Sequence, residues 1–151
     1  MPTRNHFGKR EIVKDYLALW SKNLSSSSEF PLRTAISVTG ERDQHLGPRW
    51  EKAKIWLTIE PAESFEVIDA MPEDKELQSF GYPDWAIFGL LDVLMVALSA
   101  PVRNVRITLE KGEYDPIDSC PMAFRQAGRD AGRKIIAALQ EQASPDRRVA
   151  H

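Results

Sequence analysis

Val105-Arg-Ile-Thr-Leu-Glu-Lys-Gly-Glu-Tyr-Asp-Pro-Ile-Asp-Ser-Cys-Pro-Met-Ala-Phe124 packs a strand, a turn and the start of a helix into one short run. Val105, Ile107 and Leu109 alternate with Arg106, Thr108 and Glu110, which predicts a half-buried strand from Val102 to Glu110. Lys111-Gly112 predicts a turn. Asp118 or Ser119 is expected to cap the next helix, because a side-chain oxygen there can accept an orphan N–H of the first turn. That helix starts near Pro121 and runs to about Glu141, with Ala127, Ala131, Ile135 and Leu139 on the face that meets the sheet. Gly128 and Gly132 each cost about 1 kcal/mol of helix propensity, so close approach to a neighbouring element is their expected reason.

Working outward, Pro83 to Ser99 predicts a helix, with proline near its start and Asp84 placed for the positive end of the dipole. Thr34 to Thr39, Ala53 to Glu60 and Phe65 to Asp69 predict three strands; in the second, Ala53, Ile55, Leu57 and Ile59 face one way and Lys54, Trp56, Thr58 and Glu60 the other. The order is β-β-β-α-β-α. It implies an α+β fold, a four-stranded mixed and largely antiparallel β-sheet with two helices on one face. Ahead of it, Ile12, Val13, Tyr16, Leu17 and Trp20 make the apolar stripe of an N-terminal amphipathic helix over Glu11 to Trp20. Ser25 to Ser28 reads as a linker. The expected organisation is an extension over 1–29, a domain over 30–142 and a frayed tail over 143–151.

A length of 151 residues fits one domain. The net charge of −2 excludes a whole-molecule positive field, so any nucleic-acid contact must come from local clustering. A single cysteine, Cys120, allows no intrachain disulfide. The first ten residues lack the apolar region of a secretory signal. The most apolar stretch, Trp85 to Leu98, is interrupted by Asp92 and is shorter than the roughly 20 residues of a membrane span. The expected compartment is the cytoplasm.

Thr108-Leu109, Lys111-Gly112, Tyr114, Ile117-Asp118-Ser119-Cys120 and Met122-Ala-Phe124 follow a known pattern: a strand ending in T-L, a D-G-like turn, Y, then V-D-S-S-x-M-A-F. In these residues the chain resembles domain IV of elongation factor G, the GTPase that drives ribosomal translocation. Phe65-Glu-Val-Ile-Asp69 is similar to that family's third strand, and the resemblance extends over about Leu32 to Leu139. It implies the β-β-β-α-β-α fold, shared with a small-subunit ribosomal protein domain, in a protein standing without the GTPase and other domains of the factor. No G-x-x-x-x-G-K-[ST] is present, so no GTP site is expected. The family's first hairpin loop is glycine-rich, whereas Gln44-His-Leu-Gly-Pro-Arg-Trp50 stands here. Its second tip loop is shortened to Ser99-Ala-Pro-Val102. In the factor both loops form the tip that enters the decoding region.

The resemblance therefore points to a tip site in which His45, Arg49 and Trp50 share one end with Arg103 and Asn104, an arrangement suited to holding phosphate and stacking a base. Arg125, Arg129 and Arg133 form a second RNA-binding candidate, a stripe on the last helix; its plainer explanation is a solvated face balanced by carboxylates. Leu17 and Trp20 are expected either to cover Trp56 on the outer sheet face or to bind a partner. Cofactor and metal are expected to be absent, since His6, His45 and His151 are scattered and no Cys/His ligand spacing occurs. Cys120 and Asp118 carry the weaker third option of a small enzyme. The expected function is a non-catalytic module that binds RNA or the ribosome and is linked to translation. The alternative is a protein-interaction or dimerisation module that works through the N-terminal helix.

Overall fold

The structure, a computed structural model, describes residues 5–6, 32–63, 66–71, 80–97, 102 and 105–143. Its elements in chain order are β1 (Asn5–His6), β2 (Ile36–Leu46), β3 (Arg49–Pro61), β4 (Glu66–Asp69), α1 (Tyr82–Leu94), β5 (Val105–Tyr114) and α2 (Pro121–Ala143). The sheet order is β1-β4-β5-β3-β2; β4 and β5 run parallel and the other neighbours antiparallel. The four-stranded mixed sheet with two helices is thus as expected. Asn5–His6 adds a two-residue fifth strand on the β4 edge that no alternation announces. The amphipathic helix expected over Glu11–Trp20 lies outside the described residues.

Alternation does the folding work. Ala53, Ile55, Leu57 and Ile59 of β3 and Val105, Ile107 and Leu109 of β5 are buried, as are Leu90, Leu91 and Leu94 of α1. From α2, Phe124, Ala127, Ala131, Ile135 and Leu139 complete the same core. The face assigned to that helix from its spacing is the buried one. Leu94 ends α1, short of the expected Ser99.

Two boundaries are corrected. β2 and β3 continue far past Thr39 and back from Ala53, meeting at the turn Gly47-Pro48. Gly47 has φ 61 and is followed by proline, the Gly-first pattern of a type II′ hairpin turn. What reads as a loop over Gln44–Trp50 is therefore mostly paired strand. Opposite charges facing each other across it, Glu41 against Lys54 and Asp43 against Lys52, favour the pairing. The second correction is at Lys111-Gly112, where the strand does not turn. The register shifts between Trp56 and Leu57, so that Leu109 faces Leu57 and Lys111 faces Trp56, with Glu110 as the extra residue. A bulge of this kind reverses the inward parity beyond it. Tyr114 is thereby turned toward Tyr82, 6.3 Å away between ring centroids.

The helices cross tightly. A Cβ on Gly128 would overlap the carbonyl of Ala86, and one on Gly89 the carbonyl of Arg125. One on Gly132 would press on the side chain of Val93. Close approach is thus the reason for both α2 glycines. Among the described residues no helix is long and apolar enough to cross a membrane.

Candidate nucleic-acid interface

Ala53, Ile55, Leu57 and Ile59 of β3 point into the core, so Trp50, Lys52, Lys54 and Trp56 fall on the outer face. At the hairpin end His45 lies directly opposite Trp50, and their rings stack with centroids 4.8 Å apart and planes 18° from parallel. The Lys52 ammonium lies 5.3 Å from the Trp50 ring centroid. Trp50 remains 42% exposed, which leaves aromatic surface open to a ligand. Arg49 faces Leu46 beside the turn; its side chain is outside the described set.

The segment beside this end is the β5–α2 connection. Lys52 N–H donates to the Asp118 carbonyl at 3.2 Å, and Ser119 Oγ donates to the Lys52 carbonyl at 2.5 Å. Asp115 Oδ1 accepts the N–H groups of Ile117 and Asp118, both at 2.9 Å, and Ser119 Oγ accepts the Asp115 N–H at 2.7 Å. The two backbone donors hold the Asp115 carboxyl below its ordinary value, Asp118 N–H contributing most. Neither Asp118 nor Ser119 caps α2. Cys120 does, its Sγ accepting the Ala123 N–H at 3.4 Å, because the two preceding residues are committed to the β3 edge. Ile117 projects from this connection 89% exposed.

The strand that follows the second tip loop starts away from the hairpin end. Val105, which follows Arg103 and Asn104, pairs with Pro61 at the far end of β3, roughly 35 Å along the strand from Trp50. Arg103 and Asn104 themselves lie outside the described residues. An antiparallel β5 necessarily starts where β3 finishes, so it is the β5–α2 connection that meets the hairpin tip.

Two arginines of the α2 stripe have a carboxylate partner on α1. Arg125 donates to both oxygens of Asp92, at 2.8 and 2.9 Å, and Arg129 adds a third bond at 2.9 Å. Two of the three guanidiniums thus join the helices to each other, while Arg133 is exposed. Burial pushes the Asp92 carboxyl up, but the hydrogen bonds and charges of the two arginines outweigh it and hold the carboxyl below its ordinary value. A depressed carboxylate contributes stability above its unfolded pKa, near 4, and loses it as pH falls through the lower folded one. Asp92→Asn is therefore expected to cost about 1–2 kcal/mol at neutral pH. In urea titrations across pH, its deficit relative to the parent chain should shrink below about pH 4.

Trp56 sits mid-face on β3, with the ammonium groups of Lys54 and Lys111 at 5.1 and 4.7 Å from its ring centroid. Leu17 and Trp20, expected to meet it, lie outside the described residues. Between Trp56 and Trp50 the outer face forms a shallow open hollow of about 230 Å³, whose lining includes Glu41, Asp43, Lys52, Lys54, Glu113 and Asp115. Among the described residues no group of His, Cys, Asp and Glu is placed to hold a metal.

Residues 96–139 match the family Elongation factor G, domain IV. The matched segment contains β5, its connection and most of α2, the same residues that carry the resemblance in the sequence. The fold is similar to the crystal structure of ttk003000868 from Thermus thermophilus, with a TM-score of 0.60 and 18% identity. That similarity covers 88% of this chain and 23% of the other, so the chain spans about a quarter of that protein's length.

Proposed function

Starting from a chain similar to elongation factor G domain IV in the sequence of residues 96–139 and in fold, we propose a non-catalytic, translation-linked module that binds RNA, free or in the ribosome, through its hairpin end. Residues 30–142 are the working domain, and the cytoplasm is its compartment. One observation supports the site above all others: Trp50 stands half-exposed at the tip, stacked on His45, with Lys52 beside it. An aromatic face stacks on a base, and the flexible ammonium can swing from the ring to a phosphate. Arg49 and the exposed Arg133 add charge, whereas Arg125 and Arg129 are engaged with Asp92.

Co-sedimentation with ribosomes and with free ribosomal RNA tests this. Trp50→Ala is expected to weaken binding by about 5- to 150-fold, the equivalent of about 1–3 kcal/mol per stacked base. Binding that ignores this change would remove the hairpin end as the site.

Trp56 favours a second reading, a protein-interaction module. Its ring faces outward, away from the core, with apolar lysine stems beside it. Leu17 and Trp20 would cover it within the chain or hold a partner or second copy against it. Deleting residues 1–24 separates these, since lost stability marks an internal cover and lost assembly marks a partner.

A further inference from the structure

We infer that the RNA accepted at the hairpin end is single-stranded, gripped by its bases, and that a rim of carboxylates turns duplex RNA away, an inference resting on the RNA-binding reading above. Trp50 offers a ring that a free base can stack on, and Lys52 is the cation beside it. Just past Lys52 the surface turns acidic. Glu41 and Asp43 on β2 and Glu113 and Asp115 at the end of β5 flank Lys52 and Lys54 around the hollow. Lys54 is held 3.8 Å from Glu41, and Arg42, on the same wall, is bonded to the buried Glu51 at 3.0 Å. Asp115 is fixed in place by two backbone N–H groups.

A duplex presents two rows of phosphates and bases already stacked on one another, so it needs a row of cations. Four carboxylates set around Lys52 and Lys54, with Lys111 held 3.7 Å from Glu113, provide no such row. A single strand has unpaired faces, and it can lay one base on Trp50 while its phosphates turn to solvent with Lys52 neutralising one of them. Leu46 and Ile117, 37% and 89% exposed at the same end, give apolar edges for the base to cover.

The test is fluorescence anisotropy on the full chain, with a labelled RNA of about a dozen nucleotides, alone and annealed to its complement, between about 50 and 300 mM salt. The single strand is expected to bind at least about tenfold more tightly than the duplex, with a salt slope of about 0.7, as one neutralised phosphate on a single strand requires. Trp50→Ala should abolish that preference and Trp50→Phe, which keeps an aromatic face, should restore most of it. Joint replacement Glu41→Gln, Asp43→Asn and Glu113→Gln should raise duplex affinity more than single-strand affinity. Equal or tighter duplex binding, or a slope of several phosphates, would overturn the inference while leaving RNA binding intact. Failure of every RNA, ribosomes included, would overturn both together.

Discussion

Phe124→Ala is expected to cost about 3–5 kcal/mol, the largest loss of any single truncation considered for this molecule. Phe124 is fully buried and stacks on Tyr82, with centroids 4.3 Å apart and planes 12° from parallel. Tyr82 in turn neighbours Tyr114. The three rings join the first turns of α1 and α2 to the last residue of β5, at the end of the domain where the hairpin tip and the β5–α2 connection meet. Truncation removes the transferred ring, leaves a void under Tyr82 and forfeits a stacking contribution of about 0.5–1.5 kcal/mol. Set against a typical domain stability of about 5–15 kcal/mol, that is a large share of the total. Urea denaturation should show a lower midpoint with little change in slope, and Phe124→Leu should recover most of the loss. A deficit below about 1 kcal/mol would mean that this end is not close-packed. The same Leu variant should keep RNA binding if Trp50 and Lys52 carry it.

The elements most legible in the sequence are those whose periodicity is set by the core. Ala53, Ile55, Leu57 and Ile59 alternate because one face of β3 meets two helices, and Ala127, Ala131, Ile135 and Leu139 recur because one face of α2 meets the sheet. Legibility stops where the core stops. The outer arms of the β2–β3 hairpin have no apolar alternation, since they lie beyond the apolar core and most of their side chains meet solvent. Their signal is cross-strand instead: Asp43 opposite Lys52 and Glu41 opposite Lys54, visible only once the turn is placed at Gly47-Pro48. The bulge at Glu110 is hidden for a different reason. It is an insertion relative to β3, and a single strand read alone shows no sign of what its neighbour lacks.

The candidate site follows the same division. Trp50 and His45 both stand out in the sequence, and the hairpin register stacks them. Arg103 and Asn104 join them only by way of the family's tip loops, and strand direction carries Val105 to the opposite end. Beside the hairpin end lies the stretch quoted first, whose Asp118 and Ser119 read as capping residues but bind the connection onto Lys52. Capping and loop anchoring use the same side chains, so only the position of β3 distinguishes them.

Gly128→Ala is expected to destabilise the protein by about 2 kcal/mol, against the sign of helix propensity, which favours alanine by about 1 kcal/mol. The added Cβ would overlap the Ala86 carbonyl and lie 2.9 Å from the Leu90 nitrogen, both backbone atoms of α1 that no rotamer change can move. Relief requires the helices to part, which also draws Arg125 and Arg129 away from Asp92. Gly89→Ala strikes the Arg125 carbonyl from the other side of the same crossing. Once one methyl has separated the helices the second finds room, so the double variant should lose less than the sum of the singles. Gly132 provides the contrast. Its Cβ would lie 2.9 Å from Val93 Cβ, which no rotamer change moves, but it meets no backbone atom that closely, so Gly132→Ala should cost less than Gly128→Ala. Urea midpoints for the three single variants and the 89/128 pair decide the matter. Equal losses at 128 and 132 would mean that backbone contact does not set the helix spacing, and clearly larger losses at 89 and 128 than at 132 would mean that it does.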